Sequence, residues 1–158
     1  MHLNINNLEL IIYDFDGVMT DNKVYVDQDG KEMVQVSRAD GLGVSIIKKL
    51  GIEQIIISTE RNPVVTVRAK KLKIFCINRV DDKKKILLEY CAKNNFSLQD
   101  VAYVGNDIND IEAMEIAGTT FCPADAHKSI KRICTQILST NGGDGVVREL
   151  ADIINNSK

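Results

Sequence analysis

Short apolar runs alternate with helix-like patterns along the whole chain. Runs that predict strands cover residues 8–13, 54–58, 74–78, 101–105 and 119–122. Apolar residues recur at helical spacing over 42–50, 63–72, 82–93, 108–117, 127–135 and 144–155. Continuous apolar runs are typical of strands buried on both faces of a parallel sheet. The pattern predicts an α/β fold, a doubly wound (Rossmann-like) parallel sheet with helices on both faces.

One segment interrupts this alternation directly after the first strand. Residues 23–37 alternate apolar and polar positions on either side of Asp29-Gly30, which predicts a small β-hairpin insertion. The chain has 158 residues, about the length of one ordinary domain. We therefore expect a single domain over 1–158 with no separate cap domain.

Composition narrows the classes of function. The chain carries 20 Lys and Arg against 22 Asp and Glu, and this near balance gives no argument for nucleic-acid or membrane-surface binding. No apolar run approaches the ~20 residues of a membrane span, and the first ten residues lack a signal-peptide pattern. None of the four cysteines has CxxC spacing, so we expect reduced, buried thiols rather than a zinc site. A cytoplasmic protein is expected.

Polar residues follow three of the predicted strands. They occupy positions 14–20, 58–60 and 106–110. Ligands of doubly wound sheets bind beyond the carboxyl ends of the strands, so these residues are expected to converge there. Crowded carboxylates raise one another's pKa unless a cation lies among them, and carboxylate and amide oxygens suit Mg²⁺. The sequence therefore predicts a magnesium site at this edge.

The Asp14-Phe15-Asp16 spacing makes the chemistry more specific. Side chains two apart in an extended segment project to the same side, so Asp14 and Asp16 can act on one substrate in different roles. One carboxylate can attack phosphorus while the other handles protons on the leaving oxygen. The two histidines lack a Ser-His-Asp context, and the chain has neither a GxSxG elbow nor a GxxxxGK[ST] loop.

Several motifs together resemble the haloacid dehalogenase-like phosphohydrolases. They are DFDGVMT (14–20), Ser58, Lys83 and GNDIND (105–110). The segments ADGLG (39–43), PADAH (123–127) and LSTNGGDGVVREL (138–150) extend the resemblance to the capless branch. That branch includes phosphatases of 3-deoxy-D-manno-octulosonate (Kdo) 8-phosphate and of nonulosonate 9-phosphates. It also includes the C-terminal domains of animal CMP-sialic acid synthetases.

The resemblance implies a role for each matching residue. Asp14 would be the nucleophile that forms an aspartyl phosphate, and Asp16 would be the general acid and then the base. Ser58, Thr59 and Lys83 would bind the phosphoryl group. Mg²⁺ would be held by the Asp14 side chain, the Asp16 carbonyl and a residue of the GNDIND loop.

One departure from the family pattern concerns the metal. Many relatives have Gly-Asp-Asp where this chain has Gly105-Asn106-Asp107. Either Asn106 binds the metal through its amide oxygen, or Asp107 takes over, or metal binding is impaired. The animal synthetase domains also carry Gly-Asn and are regarded as structural. A catalytically inactive oligomerisation module is therefore the alternative function. Asp110 is expected to orient Lys83 or a water molecule.

The substrate and the assembly are the remaining expectations. Glu60, Arg68, Lys71 and Arg148 are candidates for binding the sugar acid, because arginine suits its carboxylate. Residues 58–61 are closer to the nonulosonate type, without excluding Kdo 8-phosphate. The resemblance implies a homotetramer whose hairpins associate and whose subunits share active sites. An aspartate-phosphorylated receiver is disfavoured, because Phe15 separates the two acidic residues.

Overall fold

The computed structural model describes residues 5–157. Its strands are β1 (Leu10–Tyr13), β2 (Tyr25–Val26), β3 (Glu32–Met33), β4 (Glu53–Ile57), β5 (Phe75–Ile77), β6 (Val101–Val104), β7 (Thr119–Cys122) and β8 (Gln136–Ile137). Its helices are α1 (Ala39–Lys49), α2 (Val64–Leu72), α3 (Lys83–Asn94), α4 (Ile111–Met114), α5 (Lys128–Ile133) and α6 (Val146–Asn156). None of the described helices is long and apolar enough to cross a membrane.

The main sheet is parallel throughout, in the order β5-β4-β1-β6-β7-β8. The chain builds outward from β1 to β4 and β5, then crosses back through α3 to β6 on the other side of β1. Tyr13 at the end of β1 pairs with Ile56 on one side and with Val104 on the other. The order of strands thus reverses at β1, where a ligand crevice is expected. This topology confirms the predicted doubly wound fold.

Both faces of the sheet are covered by helices. Ile11 and Tyr13 of β1 pack in one buried cluster with residues of α1, α2 and α6. Leu10 and Ile12 pack in a second cluster with residues of α3, α4 and α5. Because successive side chains of a strand point to opposite faces, the run LIIY contributes to both clusters. This explains why the strand reads as uninterrupted apolar sequence.

The structure differs from the sequence-based expectation at several helices. Helix α1 begins at Ala39, three residues before the predicted start, and Leu42 on its predicted apolar face is 59% exposed. The predicted helix 108–117 is a 3₁₀ turn followed by the short α4. The predicted helix 127–135 ends at Ile133, where the chain becomes extended and enters β8. Strand β8 was missed because two residues are too short to produce an apolar pattern.

Helices α1 and α6 pack unusually closely at Gly43. A Cβ atom at this position would lie 2.6 Å from the Val147 carbonyl oxygen, so only glycine allows the approach. Asp40, one turn earlier, accepts the backbone N–H groups of Val147 at 3.0 Å and Arg148 at 3.4 Å. Helix α6 follows Gly145, which has no side chain, so Asp40 caps the start of α6 from another helix.

The insertion after β1 is a hairpin, as predicted. Strands β2 and β3 pair antiparallel, with Tyr25 opposite Met33. At the tip, Asp27 Oδ1 accepts the N–H groups of Asp29 and Lys31, each at 2.9 Å. Gly30 adopts a positive φ of 77°. Within residues 5–157 this hairpin is the insertion that lies beside the end of β1, and no cap domain is present there.

Burial of Asp40 predicts a pH-dependent contribution to stability. Its side chain is 1% exposed, and burial raises its pKa to about 6, with the two N–H groups and Arg68 opposing. The stability contribution is therefore present below about pH 4 and is lost as the pH rises through about 6. Asp40→Asn removes this titration. We expect its free energy of unfolding relative to wild type to rise by up to about 3 kcal/mol between pH 4 and 7.5.

Urea unfolding at several pH values measures this difference. Asp152→Asn on the exposed side of α6 is the matched control, for which we expect no comparable relative shift. Parallel pH profiles of wild type and Asp40→Asn would contradict the prediction.

Candidate active site

Three elements bring Asp14 and Lys83 into contact. Asp14 directly follows β1, and its backbone N–H donates to the Val104 carbonyl of β6 at 2.9 Å. Its Oδ1 accepts the Phe15 N–H at 2.7 Å and lies 2.9 Å from Lys83 Nζ. Lys83 is the first residue of α3, whose start is capped by Asp82 through the Lys85 N–H. Asp82, and not the neighbouring Asp81, supplies the cap of this helix.

Asp110 supports the contact between Asp14 and Lys83 by hydrogen bonds. Its Oδ1 accepts from Lys83 Nζ at 2.7 Å and from the Tyr103 hydroxyl at 2.9 Å. Its Oδ2 accepts the backbone N–H groups of Asn106 at 2.9 Å and Asp107 at 3.3 Å. One fully buried carboxylate therefore orients Lys83 and also fixes the loop that follows β6.

Burial and the neighbouring charges together shift the pKa values of Asp14 and Lys83. Burial alone would lower the pKa of Lys83, but the neighbouring Asp14 and Asp110 outweigh it and hold that pKa above its usual value. Burial and then Asp110 raise the pKa of Asp14, while Lys83 opposes the rise. The ammonium of Lys83 is thus the group that favours an ionised Asp14, as a carboxylate nucleophile requires.

Asp16 lies at the edge of the same site, with a different environment. Its Oδ1 accepts the Thr20 hydroxyl at 3.3 Å, and Thr20 Oγ1 in turn accepts the N–H groups of Gly17 and Asn22. Partial burial and then the negative charge of Glu60 raise the pKa of Asp16. A carboxyl group whose proton is held more tightly than usual suits a general acid.

The Asn106 amide lies between Asp14 and the backbone of Asp16. With its nitrogen toward them, Asn106 donates to Asp14 Oδ2 at 3.2 Å and to the Asp16 carbonyl oxygen at 2.9 Å. With the amide rotated by half a turn, its oxygen faces those two oxygens. Three oxygens that converge in this way repel one another unless a cation lies among them, and they form a donor set that suits Mg²⁺. The residues present therefore fit a divalent cation.

Asp107 serves a different purpose in the same loop. Its Oδ1 accepts the Ile108 N–H at 2.7 Å, and its side chain and that of Asp110 form a capping box at the 3₁₀ turn. No cluster of three His, Cys, Asp or Glu side chains suited to a metal occurs within residues 5–157. The metal donor set above is instead built from Asp14, an amide and a carbonyl.

Residues 58–60, which follow β4, lie beside Asp14 at the same edge of the sheet. Ser58 is buried, and its Oγ accepts the Glu60 N–H at 3.1 Å. Thr59 is exposed. Glu60 Oε1 accepts the N–H groups of Arg61 at 2.6 Å and Asn62 at 2.7 Å. The register of β1 and β4 puts Ser58 just beyond the level of Asp14, at the same edge of the sheet.

Of the three basic residues predicted to bind the substrate, Arg68 and Lys71 lie together and Arg148 lies elsewhere. Arg68 donates from Nη2 to the Ser37 carbonyl at 2.8 Å, and with Lys71 it lines a groove of about 800 Å³ between β3 and α2. Arg148 pairs through Nε with both Asp152 oxygens, at 3.1 and 3.0 Å. It lines a different cavity, at the start of α6. Neither the groove nor this cavity includes Asp14, Lys83 or Asn106 among its walls.

Two supports of the site were missed by sequence reasoning. Tyr103 is buried in β6, and a buried tyrosine hydroxyl needs a hydrogen-bond partner. A tyrosine within an apolar strand was therefore the sequence signal for a polar group nearby. The segment at Gly142-Gly143 packs on the catalytic loop. Gly143 N–H donates to the Val18 carbonyl at 3.1 Å, and a Cβ at Gly142 would lie 2.3 Å from the Gly17 carbonyl oxygen.

Comparison with known proteins agrees with this geometry. The family model described as haloacid dehalogenase-like hydrolase matches residues 47–150. The chain belongs to this family. Within the haloacid dehalogenase-like hydrolases it is a phosphatase. It is 30% identical over 156 residues to the Haemophilus influenzae 3-deoxy-D-manno-octulosonate 8-phosphate phosphatase, covering 98% of this chain and 86% of the relative.

Two further relatives of this haloacid dehalogenase-like phosphatase differ in kind. The crystal structure of the Moraxella catarrhalis 3-deoxy-D-manno-octulosonate 8-phosphate phosphatase contains magnesium, phosphate and KDO. It matches with a TM-score of 0.94 and 29% identity over 99% of this chain and 94% of that one. The N-acylneuraminate cytidylyltransferase A of Danio rerio is 30% identical over 151 residues, 93% of this chain but 35% of the relative.

Proposed function

We propose that the chain acts as one Mg²⁺-dependent domain that hydrolyses a phosphorylated 3-deoxy-2-ulosonic sugar acid. The candidate substrates are Kdo 8-phosphate and a nonulosonate 9-phosphate. The contact between Asp14 and the buried Lys83 carries the proposal, because it places an ammonium, which favours the ionised form, against a carboxylate nucleophile at the carboxyl end of β1. The relatives that are named as phosphatases of a stated substrate act on Kdo 8-phosphate, which supports this substrate class.

The reaction would proceed through an aspartyl phosphate. Asp14 attacks the phosphorus atom, and Asp16 donates its proton to the sugar oxygen that leaves. Asp16, now ionised, removes a proton from the water molecule that hydrolyses the intermediate. Lys83, Ser58 and Thr59 bind the phosphoryl oxygens. Lys83 also favours the ionised form of Asp14 before the attack, because it opposes the effects of burial and Asp110 on the Asp14 pKa.

The metal would be held by Asp14, the Asp16 carbonyl and the Asn106 amide oxygen. When bound, Mg²⁺ supplies positive charge that neutralises and orients the phosphate. Asn106 is preferred over Asp107 as the ligand because the Asp107 carboxylate already caps the Ile108 N–H. Asp110 is a positioning residue, since its oxygens bind Lys83 and the Asn106 backbone.

Recognition of the sugar acid is assigned to the groove between the hairpin and α2. Arg68 and Lys71 line it and supply positive charge for the substrate carboxylate. Glu60 is held toward the site by two backbone N–H groups and is available to the sugar hydroxyls. Arg148 is already paired through Nε with the Asp152 carboxylate, so we assign it to contacts with a neighbouring subunit.

A homotetramer joined through the hairpins completes the proposal. Four apolar side chains of the hairpin are exposed, by between 46% and 69%: Val24, Tyr25, Val26 and Met33. Two-residue strands with an exposed apolar surface are marginal by themselves and mark a protein interaction site. Burying this surface between subunits would also shelter active sites that no cap covers.

The alternative function is a catalytically inactive oligomerisation module. The observation that favours it is the Asn106 amide, which can satisfy Asp14 and the Asp16 carbonyl by hydrogen bonds without a cation. Similarity to part of a cytidylyltransferase is compatible with an inactive oligomerisation module. The two functions differ in metal binding and in turnover.

Phosphate release from a panel of phosphorylated sugar acids tests the leading function. We expect turnover of Kdo 8-phosphate or a nonulosonate 9-phosphate with Mg²⁺, and loss of activity on chelation. Asp14→Asn removes the nucleophile and should lower kcat by at least about 10³-fold. Glu89→Gln, at an exposed position on α3, is the control that keeps activity. A folded wild-type protein that releases no phosphate from either substrate class at saturating Mg²⁺ would overturn the proposal.

Metal titration separates the two functions at Asn106. We expect wild type to bind Mg²⁺ in calorimetry and to gain thermal stability from it. Asn106→Asp should bind Mg²⁺ more tightly, because a carboxylate replaces a neutral ligand. In EDTA the same variant should unfold at a lower temperature than wild type, because two carboxylates then face each other. Asn109→Asp in the same loop is the matched control. Absence of Mg²⁺ binding by wild type at millimolar concentration favours the inactive module.

Light scattering coupled to gel filtration tests the tetramer. Tyr25→Asp places a charge on the exposed hairpin surface and should dissociate the assembly and lower activity. Leu88→Asp makes the same kind of change at an exposed apolar position on α3 and should leave the assembly intact. A wild-type monomer with full activity at assay concentration would contradict the shared-site model.

A further inference from the structure

Two thiols away from the active site lie in direct contact. Cys122 is the last residue of β7, and Cys134 lies twelve positions later, between α5 and β8. Their Sγ atoms are 3.2 Å apart, and both are free thiols. The other two cysteines, Cys76 on β5 and Cys91 on α3, have no sulfur neighbour at this distance within the described residues. The contact is therefore specific to one pair.

We infer that Cys122 and Cys134 are a redox-modification site, at which exchange with a low-molecular-weight disulfide such as oxidised glutathione forms a reversible Cys122–Cys134 disulfide. The inference is independent of the phosphatase reaction, because neither sulfur belongs to the catalytic groups. It rests on the contact between the sulfurs, their unequal exposure and the way the surrounding chain is held.

The two thiols differ in access, which defines the order of the reaction. Cys122 is fully buried, whereas Cys134 is half-buried. Cys134 also lines a surface cavity of about 660 Å³ together with Arg132 and Thr135. A small disulfide can thus reach Cys134 and cannot reach Cys122 first. Redox-sensitive cysteines are typically accessible thiols placed next to a second, resolving thiol.

The proton distribution agrees with this order. The hydrogen bond from the Cys122 thiol lowers the pKa of Cys134, and backbone N–H groups and Lys131 act in the same direction. The same contact and burial raise the pKa of Cys122. Cys134 is thus the better thiolate, and the thiolate is the species that attacks a disulfide.

The exchange balances in two steps. The Cys134 thiolate attacks one sulfur of oxidised glutathione, the glutathione disulfide bond breaks, and one glutathione leaves as a thiolate that takes up a proton. Cys122 then loses its proton and attacks the Cys134 sulfur of the mixed disulfide, releasing the second glutathione. The protein loses two hydrogen atoms as a disulfide forms, and one oxidised glutathione becomes two reduced molecules.

The backbone around the pair holds the two thiols close together. A disulfide needs the sulfurs to approach by about a further 1.2 Å. Thr120 and Thr135 fix the adjoining segments, with the Thr135 N–H donating to Thr120 Oγ1 at 2.8 Å and the Thr120 N–H donating to Thr135 Oγ1 at 3.1 Å. The segments that carry both thiols are therefore held side by side in the folded chain.

Mass spectrometry of the folded full-length chain tests the inference. After incubation with oxidised glutathione and alkylation, we expect two thiols to be protected and peptide mapping to show a Cys122–Cys134 bond. Dithiothreitol should restore both thiols. The oxidised chain should also unfold at a higher temperature, because the cross-link constrains the unfolded state. Cys76→Ser and Cys91→Ser are the matched controls and should form the bond as wild type does.

The variants of the pair distinguish the two thiols. Cys122→Ser should retain one glutathione on Cys134, formed at least about tenfold faster than on Cys76, and its unfolding temperature should not rise. Cys134→Ser should take up no glutathione at Cys122. If Cys122→Ser fails to fold, Cys122→Ala serves instead.

Three outcomes would overturn the inference. They are a stable mixed disulfide on wild-type Cys134, bonds that involve Cys76 or Cys91, and a Cys122–Cys134 bond that forms only after denaturation. Absence of any reaction over the time in which oxidised glutathione modifies a model peptide thiol would also overturn it.

Discussion

The buried contact of Lys83 with Asp14 and Asp110 is the interaction on which the site depends. The Lys83 side chain is 1% exposed, and moving an ammonium into such a place costs several kcal/mol unless partners compensate it. Two carboxylates at 2.9 and 2.7 Å provide that compensation. Each of the three comes from a different part of the chain, so the ion pair forms only when β1, β6 and the start of α3 are assembled. Catalytic geometry and tertiary structure are therefore coupled.

Asn106 gives this site a property that an aspartate would not. A carboxylate at position 106 would face Asp14 with a like charge and would need a cation to lie there stably. An amide can present either its nitrogen or its oxygen to the same two acceptors. The chain can therefore keep its active-site loop in place with or without a divalent cation, and in exchange it offers the metal one charge fewer.

Sequence reasoning succeeded where one local pattern carries the answer. The apolar run of β1 and the Asp residue after it defined the centre of the sheet and the edge where the site lies. Asp82 as a cap and Pro63 at the start of α2 were also accessible from local chemistry. The two-residue β8 carried no periodic signal. The cap that Asp40 gives α6 could not be foreseen either, because it joins residues more than a hundred positions apart.

Residue roles were harder to predict than residue positions. Arg148 is in the family motif, yet its guanidinium is taken up by Asp152 one turn away, a partner that helical spacing offers to any such pair. Asp107 similarly resembles a metal ligand in the sequence, but its carboxylate accepts the Ile108 N–H in its own turn. Short-range partners of this kind decide which polar residues of a motif remain available.

The packing of Gly142-Gly143 on the catalytic loop has a consequence for biosynthesis. The loop after β1 is synthesised more than a hundred residues before the segment at Gly142-Gly143, which its backbone contact through Val18 requires. A nascent chain that lacks residues beyond about 140 therefore exposes Asp14 without its final enclosure. The loop that follows Asp14 thus gains this packing late in synthesis, and a chain terminated before the glycine pair leaves the loop incompletely enclosed.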